Sequence, residues 1–218
     1  MMCFELAMTY KVDLYDKSWK VVKSIALSDE VFGKEWVNSS LMHEYYLLQT
    51  ANARVSIAHT KTRAEVAGSW KKLYRQKWTW SARVGDKRSP IRRKGWVVFG
   101  PRKERNYTKD MPKKARKLAL YGLLSLKAKD KELLAFQWFD PKSPKTKEAY
   151  DLLQNIWLAW QKILVVLNEK NDALSKSFRN IKRVKYILLD YLNPYDLMHY
   201  NKILFTKDAL ERLNTAKK

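Results

Sequence analysis

The sequence predicts a three-layer α/β domain with a mainly parallel sheet flanked by helices, plus a long extended basic loop inserted in the first half. Three observations predict it. Strand-like and helix-like segments alternate about four times in the second half, the order of a parallel sheet with crossover helices. Ile163 to Leu167 reads ILVVL, a continuous apolar run of the kind covered on both faces of a sheet. Lys61 to Phe99 is basic throughout and has no apolar period until its last residues, so it leaves the domain instead of contributing to its core.

Taken in order, Thr9 to Tyr15 alternates Val12 and Leu14 with polar neighbours, a strand pattern, and Lys20 to Leu27 repeats it across a Ser18-Trp19 turn. Ser39-Ser40 reads as a helix N-cap, with Leu41, Tyr45, Leu48, Ala51 and Val55 on one face after it. Pro112 is placed as the first residue of a second helix, with Leu118, Tyr121, Leu124 and Ala128 facing inward. A short apolar run follows, Leu133 to Phe139. Ser143-Pro144 opens a helix holding Ala149, Leu152, Leu153 and Ile156. After the ILVVL strand come a short helix at Asn171 to Phe178, a strand at Val184 to Leu189 and a helix capped by Asn193-Pro194. A last strand, Ile203 to Phe205, leads to a helix capped by Thr206. The organisation read from this is one domain over 1–218, with residues 61–105 as the inserted loop.

Charge points to a partner. The chain of 218 residues carries 44 Lys+Arg against 22 Asp+Glu, a net of +22. Lys61 to Lys117 alone holds 20 of the basic and 4 of the acidic residues, a net of +16 that leaves +6 for everything else. Such a concentration calls for a polyanion. A membrane surface is a poor fit, because Lys71 to Lys94 has no apolar helical face to lay into lipid. Nucleic acid fits: Lys and Arg neutralise phosphates and release counterions. Gln76, Thr79 and Ser89 add neutral hydrogen bonds, and Tyr74 offers a ring to a base. An extended, irregular segment suits folded RNA better than a regular DNA groove.

Chemistry of other kinds is thinly represented. Neither GxxxxGK[ST] nor GxGxxG occurs, so no phosphate cradle for a nucleotide cofactor is read. His43, His59 and His199 are scattered, and Asp140, Asp190 and Asp196 fall where turns and caps use them. Glu65, Asp86 and Glu104 read as local partners of neighbouring cations. No catalytic residue, metal site or cofactor is expected. The single cysteine, Cys3, fits a reducing compartment, and the most apolar window, Ile156 to Leu167, is too short to span a bilayer. A cytoplasmic protein is the expectation.

The central residues EVAGSWKKLYRQKWTWSARVGDKRSPIRRKGWVVFGPR, with SDEVFG, ANAR, KTRAEV, PKKARKLAL, PKTKE and NPYDLMHYNKILFTKDALERL around them, resemble the bacterial large-subunit ribosomal protein L-four family over nearly the whole chain. The resemblance implies an α/β domain on the solvent side of the large subunit. It also implies a loop that threads ribosomal RNA to the wall of the nascent-peptide exit tunnel, beside protein L-twenty-two, and a part in early assembly. By position it puts Arg75, Gln76, Lys77 and Thr79 at the tunnel-facing tip. RNA contact is implied for Arg54, Lys61, Arg63, Lys71, Lys72, Arg83, Lys87, Arg88, Ser89, Arg92, Arg93, Lys94, Arg102, Lys103 and Arg105, together with Arg75, Gln76 and Lys77. A free regulatory RNA-binding protein and an RNA-processing enzyme with a basic recruiting arm are the alternatives.

One departure is systematic. Where the family carries glycine, this chain has tryptophan at Trp19, Trp70, Trp78, Trp80, Trp96, Trp157 and Trp160. Two readings stand: UGA codons decoded as glycine, or an aromatic-rich loop that stacks on RNA bases.

Overall fold

A computed structural model of the chain describes residues 10–16, 20–34, 38–137, 144–155 and 161–215. The expected Ser18-Trp19 turn, Asp140, Ile156, Trp157 and Trp160 lie outside them. The elements are strands β1 (Lys11–Tyr15), β2 (Val21–Ala26), β3 (Leu133–Phe136), β4 (Ile163–Leu167), β5 (Val184–Leu188) and β6 (Lys202–Thr206), and helices α1 (Asp29–Phe32), α2 (Ser39–Asn52), α3 (Lys113–Lys129), α4 (Thr146–Asn155), α5 (Asp172–Arg179), α6 (Pro194–His199) and α7 (Lys207–Thr215).

The strands form one sheet in the order β2-β1-β3-β6-β4-β5. Among the described residues only the β1–β2 pair is antiparallel; β1–β3, β3–β6, β6–β4 and β4–β5 are parallel. Burial on β4 shows why its sequence is uninterrupted. Leu164 and Val166 join a core with Leu123, Leu124 and Leu210, while Ile163, Val165 and Leu167 join a second core with Leu153, Leu174 and Phe178. Successive side chains point to opposite faces, and both faces are covered. Helices α1, α2, α3, α6 and α7 supply the first cover and α4 and α5 the second, so the fold is the three-layer α/β domain expected.

Several local expectations move. Asn38, not Ser39 or Ser40, caps α2: its Oδ1 accepts from the Leu41 N–H at 3.1 Å. Val55 lies beyond the end of α2 and is exposed. Pro112 is the N-cap residue of α3, with extended ψ, one position before the site expected for it. Leu118 turns outward; Leu124 and Ala128 are buried as expected, and Ala119 and Leu123 are buried with them. Thr206 ends β6, and its hydroxyl donates to the Val166 carbonyl at 3.4 Å. Asn171 and Asn193 do cap their helices, each through Oδ1 to backbone N–H groups.

The chain divides into two compact units. One comprises Met1–Thr50 and Asp110–Lys218, which contains the sheet; the other is Ala51–Lys109, wider than the 61–105 read from sequence. Between Arg54 and Pro112 there is neither helix nor strand.

Candidate nucleic-acid interface

A segment this long with no regular structure must satisfy its backbone by other means. In Ala51–Lys109 it does so through a paired neck. Asn52 brackets Lys109, donating from Nδ2 to its carbonyl (3.1 Å) and accepting its N–H at Oδ1 (2.8 Å). Further along, the Thr60 N–H donates to the Pro101 carbonyl (3.0 Å) and the Val97 N–H to the Lys61 carbonyl (3.1 Å). Beside these bonds the Arg102 guanidinium grips both oxygens of Glu65, at 3.0 and 3.1 Å, and also donates to the Thr60 carbonyl. The Thr62 N–H and His59 complete the carboxylate's surroundings. Hydrogen bonds from Arg102, then from Thr62, hold the Glu65 carboxyl down to about 2.

Beyond the neck the chain folds on itself. The Trp96 N–H donates to the Arg88 carbonyl at 3.0 Å, closing residues 88–96. Gly95 is required there, because a Cβ would lie 1.9 Å from the Ser89 carbonyl oxygen. Arg88 is only 6% exposed: it donates to the Val66 carbonyl and lies 3.5 Å over the Trp70 ring, on which Arg63 also stacks at 4.5 Å. The Leu73 N–H donates to the Gly85 carbonyl, Tyr74 donates its hydroxyl to Ala82, and Arg75 donates to the Trp78 carbonyl.

The cations that remain face outward. Arg54, Lys61, Arg63, Lys71, Lys72, Arg75, Lys77, Arg83, Lys87, Arg92, Arg93, Lys94, Lys103 and Arg105 are all exposed, as is Gln76. Ser89 and Thr79 are half-buried. Two of the expected contact residues have internal work: Arg88 is enclosed, and Arg102 is the one Lys or Arg of this unit ion-paired to a carboxylate among the described residues. Tyr74, expected as an open ring, is half-buried with its hydroxyl committed. One residue escaped the sequence reading. Tyr107 carries Arg54 at 4.3 Å and Arg105 at 5.0 Å from its ring centroid. An aromatic set among arginines was the available signal. Together these groups make a dense, exposed, cationic surface suited to phosphates.

Elsewhere, Asp190 pairs with Arg212, and the buried Asp196 accepts from Lys185 at 2.7 Å and from Asn193 at 2.8 Å, beyond the turn and cap duty read for them. His43 is exposed on α2. No helix of the described residues is long and apolar enough to cross a membrane.

A three-layer α/β domain bearing a long, irregular, cationic unit defines a basic binding protein. The particular family follows from comparison. The model of the ribosomal protein L4/L1 family matches residues 25–216. Over 203 residues the chain is 41% identical to large ribosomal subunit protein uL4 of Alkaliphilus oremlandii and 44% identical to that of Symbiobacterium thermophilum, in each case covering 93% of this chain and 97% of the relative. The uL4 protein of Desulforamulus reducens is 43% identical over the same length. The chain belongs to the ribosomal protein L4/L1 family.

Proposed function

We propose that this chain is a structural, non-enzymatic component of the large ribosomal subunit in the cytoplasm, and that it binds large-subunit ribosomal RNA through its inserted loop. The observation that carries the reading is the set of exposed cations without a carboxylate partner, among the described residues, on a unit braced by its own backbone bonds. Cations left unneutralised at that density repel one another; a polyphosphate threaded among them removes the repulsion and releases counterions. In this reading residues 61–105 are the RNA-binding loop of a single domain. Arg92, Arg93 and Lys94, on a tight turn, and Lys71, Lys72, Arg83 and Lys87 take phosphates. Arg88, Ser89 and Arg102 shape the loop from within.

The tip residues Arg75, Gln76, Lys77 and Thr79 line the exit tunnel, against the nascent peptide and near protein L-twenty-two, and loop binding supports early subunit assembly. Cosedimentation tests the central statement. In moderate salt the chain pellets with large subunits; a chain left in the supernatant while other ribosomal proteins pellet contradicts it.

A further inference from the structure

Phe99 is placed where a phenylalanine gains nothing from its own chain. Its φ is 52°, in the left-handed region, and its side chain is fully exposed. Among the described residues it has no ring or cation partner within the fold. Bulky residues are rarely held in that region, and strained backbone clusters at functional sites. Its presentation is fixed from behind: a Cβ on Gly100 would sit 2.0 Å from the Thr60 hydroxyl oxygen, and the Thr60 N–H is bonded to Pro101. Phe99 walls a cleft of about 700 Å³ that also holds Arg54, Arg105 and Tyr107, within the range of small-ligand sites, roughly 300–1,000 Å³. Arg54 and Arg105 are locked on the Tyr107 ring, which leaves Phe99 as the open face.

We propose that this cleft takes one unpaired nucleotide of RNA, its base stacked on Phe99 and its phosphate against Arg54 and Arg105. This rests on the RNA-binding reading above. Stacking adds affinity without releasing counterions, so its signature differs from that of a phosphate contact. The test is equilibrium binding of the full chain to a large-subunit ribosomal RNA transcript across a salt series. Phe99→Ala weakens binding roughly 5- to 100-fold, Phe99→Trp retains it, and neither changes the log-log salt slope. Unchanged affinity in Phe99→Ala overturns the proposal, and so does a fallen slope. A cleft that instead holds a protein partner shows as full RNA affinity with loss of a neighbouring ribosomal protein from the assembled particle. A triple Arg92, Arg93 and Lys94 to Ala variant run alongside separates the two levels: if it too binds normally, the RNA-binding reading itself has failed.

A different observation carries a second proposal. Trp78 and Trp80 have φ of 65° and 52° and are 79% and 101% exposed. Neither lines the cleft that Phe99 walls, and among the described residues neither carries a stacked guanidinium as Trp70 does. The chain has 6 Gly and 9 Trp, whereas roughly 7% glycine is usual, which leaves it about nine short. Glycine adopts this backbone freely; Lys94, Phe99, Lys131 and Arg183 also hold it, and the match of the glycine shortfall to the nine Trp is what singles out these two. We infer that positions 78 and 80 are glycine in the native polypeptide, encoded by UGA, and that the bare main chain of the tip lies directly against its partner. Trp70 and Trp96 lack the positive φ, so the backbone makes no such demand there. Peptide sequencing by mass spectrometry of protein from the source cells decides it. Glycine at both positions is the expected result; tryptophan at both, or UGG codons at both, overturns it.

Discussion

At the scale of single residues, the decisive question for each cation is whether the fold has already used it. Glu65 has claimed Arg102, and the pair clamps the neck. Its carboxyl is held at about 2 against 4.5 for an ordinary glutamate. A depressed carboxylate contributes its stabilisation fully above the ordinary value and loses it as pH falls through the lowered one. The protection of the Thr62 and Val97 amides, relative to their intrinsic exchange rates, is therefore full above pH 4.5 and falls away as pH approaches 2. A transition centred near 4.5, or one unchanged in Glu65→Gln, contradicts the clamp. Lys77 is the opposite case: exposed, in no ion pair among the described residues, and at the tip in the reading proposed above. Lys77→Ala leaves subunit assembly intact and changes nascent-chain stalling or the response to tunnel-binding macrolides; failed assembly would place Lys77 among the phosphate contacts. Composition signalled these charges, but it could not separate Arg88 and Arg102 from the free cations. That division depends on which carbonyl or carboxylate the folded backbone brings near.

At the scale of elements, the sheet explains both the order and the tolerance of the domain. Leu164 is fully buried on a strand with both faces covered. Leu164→Ala lowers unfolding free energy by about 2–5 kcal/mol, as large-to-small changes in a close-packed core do; chemical denaturation checks this, and a loss under 1 kcal/mol contradicts two-sided burial. Asp196 is 1% exposed and tied to Lys185. Lys185→Ala leaves that carboxylate with Asn193 but without its cation and costs about 3 kcal/mol, the low end for a broken buried pair because Asn193 still donates and the lysine is itself half exposed. Strand identities were legible because β4 is apolar without a break and β6 has the apolar centre Ile203 to Phe205. Helix ends were less so. Asn38 displaced the adjacent serines as cap, and Pro112 sits one residue early, since an N-cap depends on where the preceding chain turns. Leu118 was misplaced because α3 has apolar residues around more than one face, and only packing chooses among them.

At the scale of the whole molecule, the chain joins a conventional folding problem to one that folding leaves unsolved. The sheet and its helices bury their apolar groups in two cores. The residues 51–109 satisfy backbone bonds but not charge, and that imbalance is what a polyanion completes. The insertion was legible as a charge run with no apolar period; its paired neck and the Tyr107 stack were not, because the neck joins residues distant in sequence, such as Asn52 with Lys109 and Glu65 with Arg102, and the stack joins a ring to cations with no fixed spacing. The most direct test is the salt dependence of binding to large-subunit ribosomal RNA, for the full chain and for the Arg92, Arg93 and Lys94 to Ala variant. The account predicts a steep linear fall of log affinity with log salt, shallower in the variant by about 2–3 in slope, with affinity lowered for every RNA sequence alike. A variant slope equal to that of the parent chain would contradict phosphate binding by the loop.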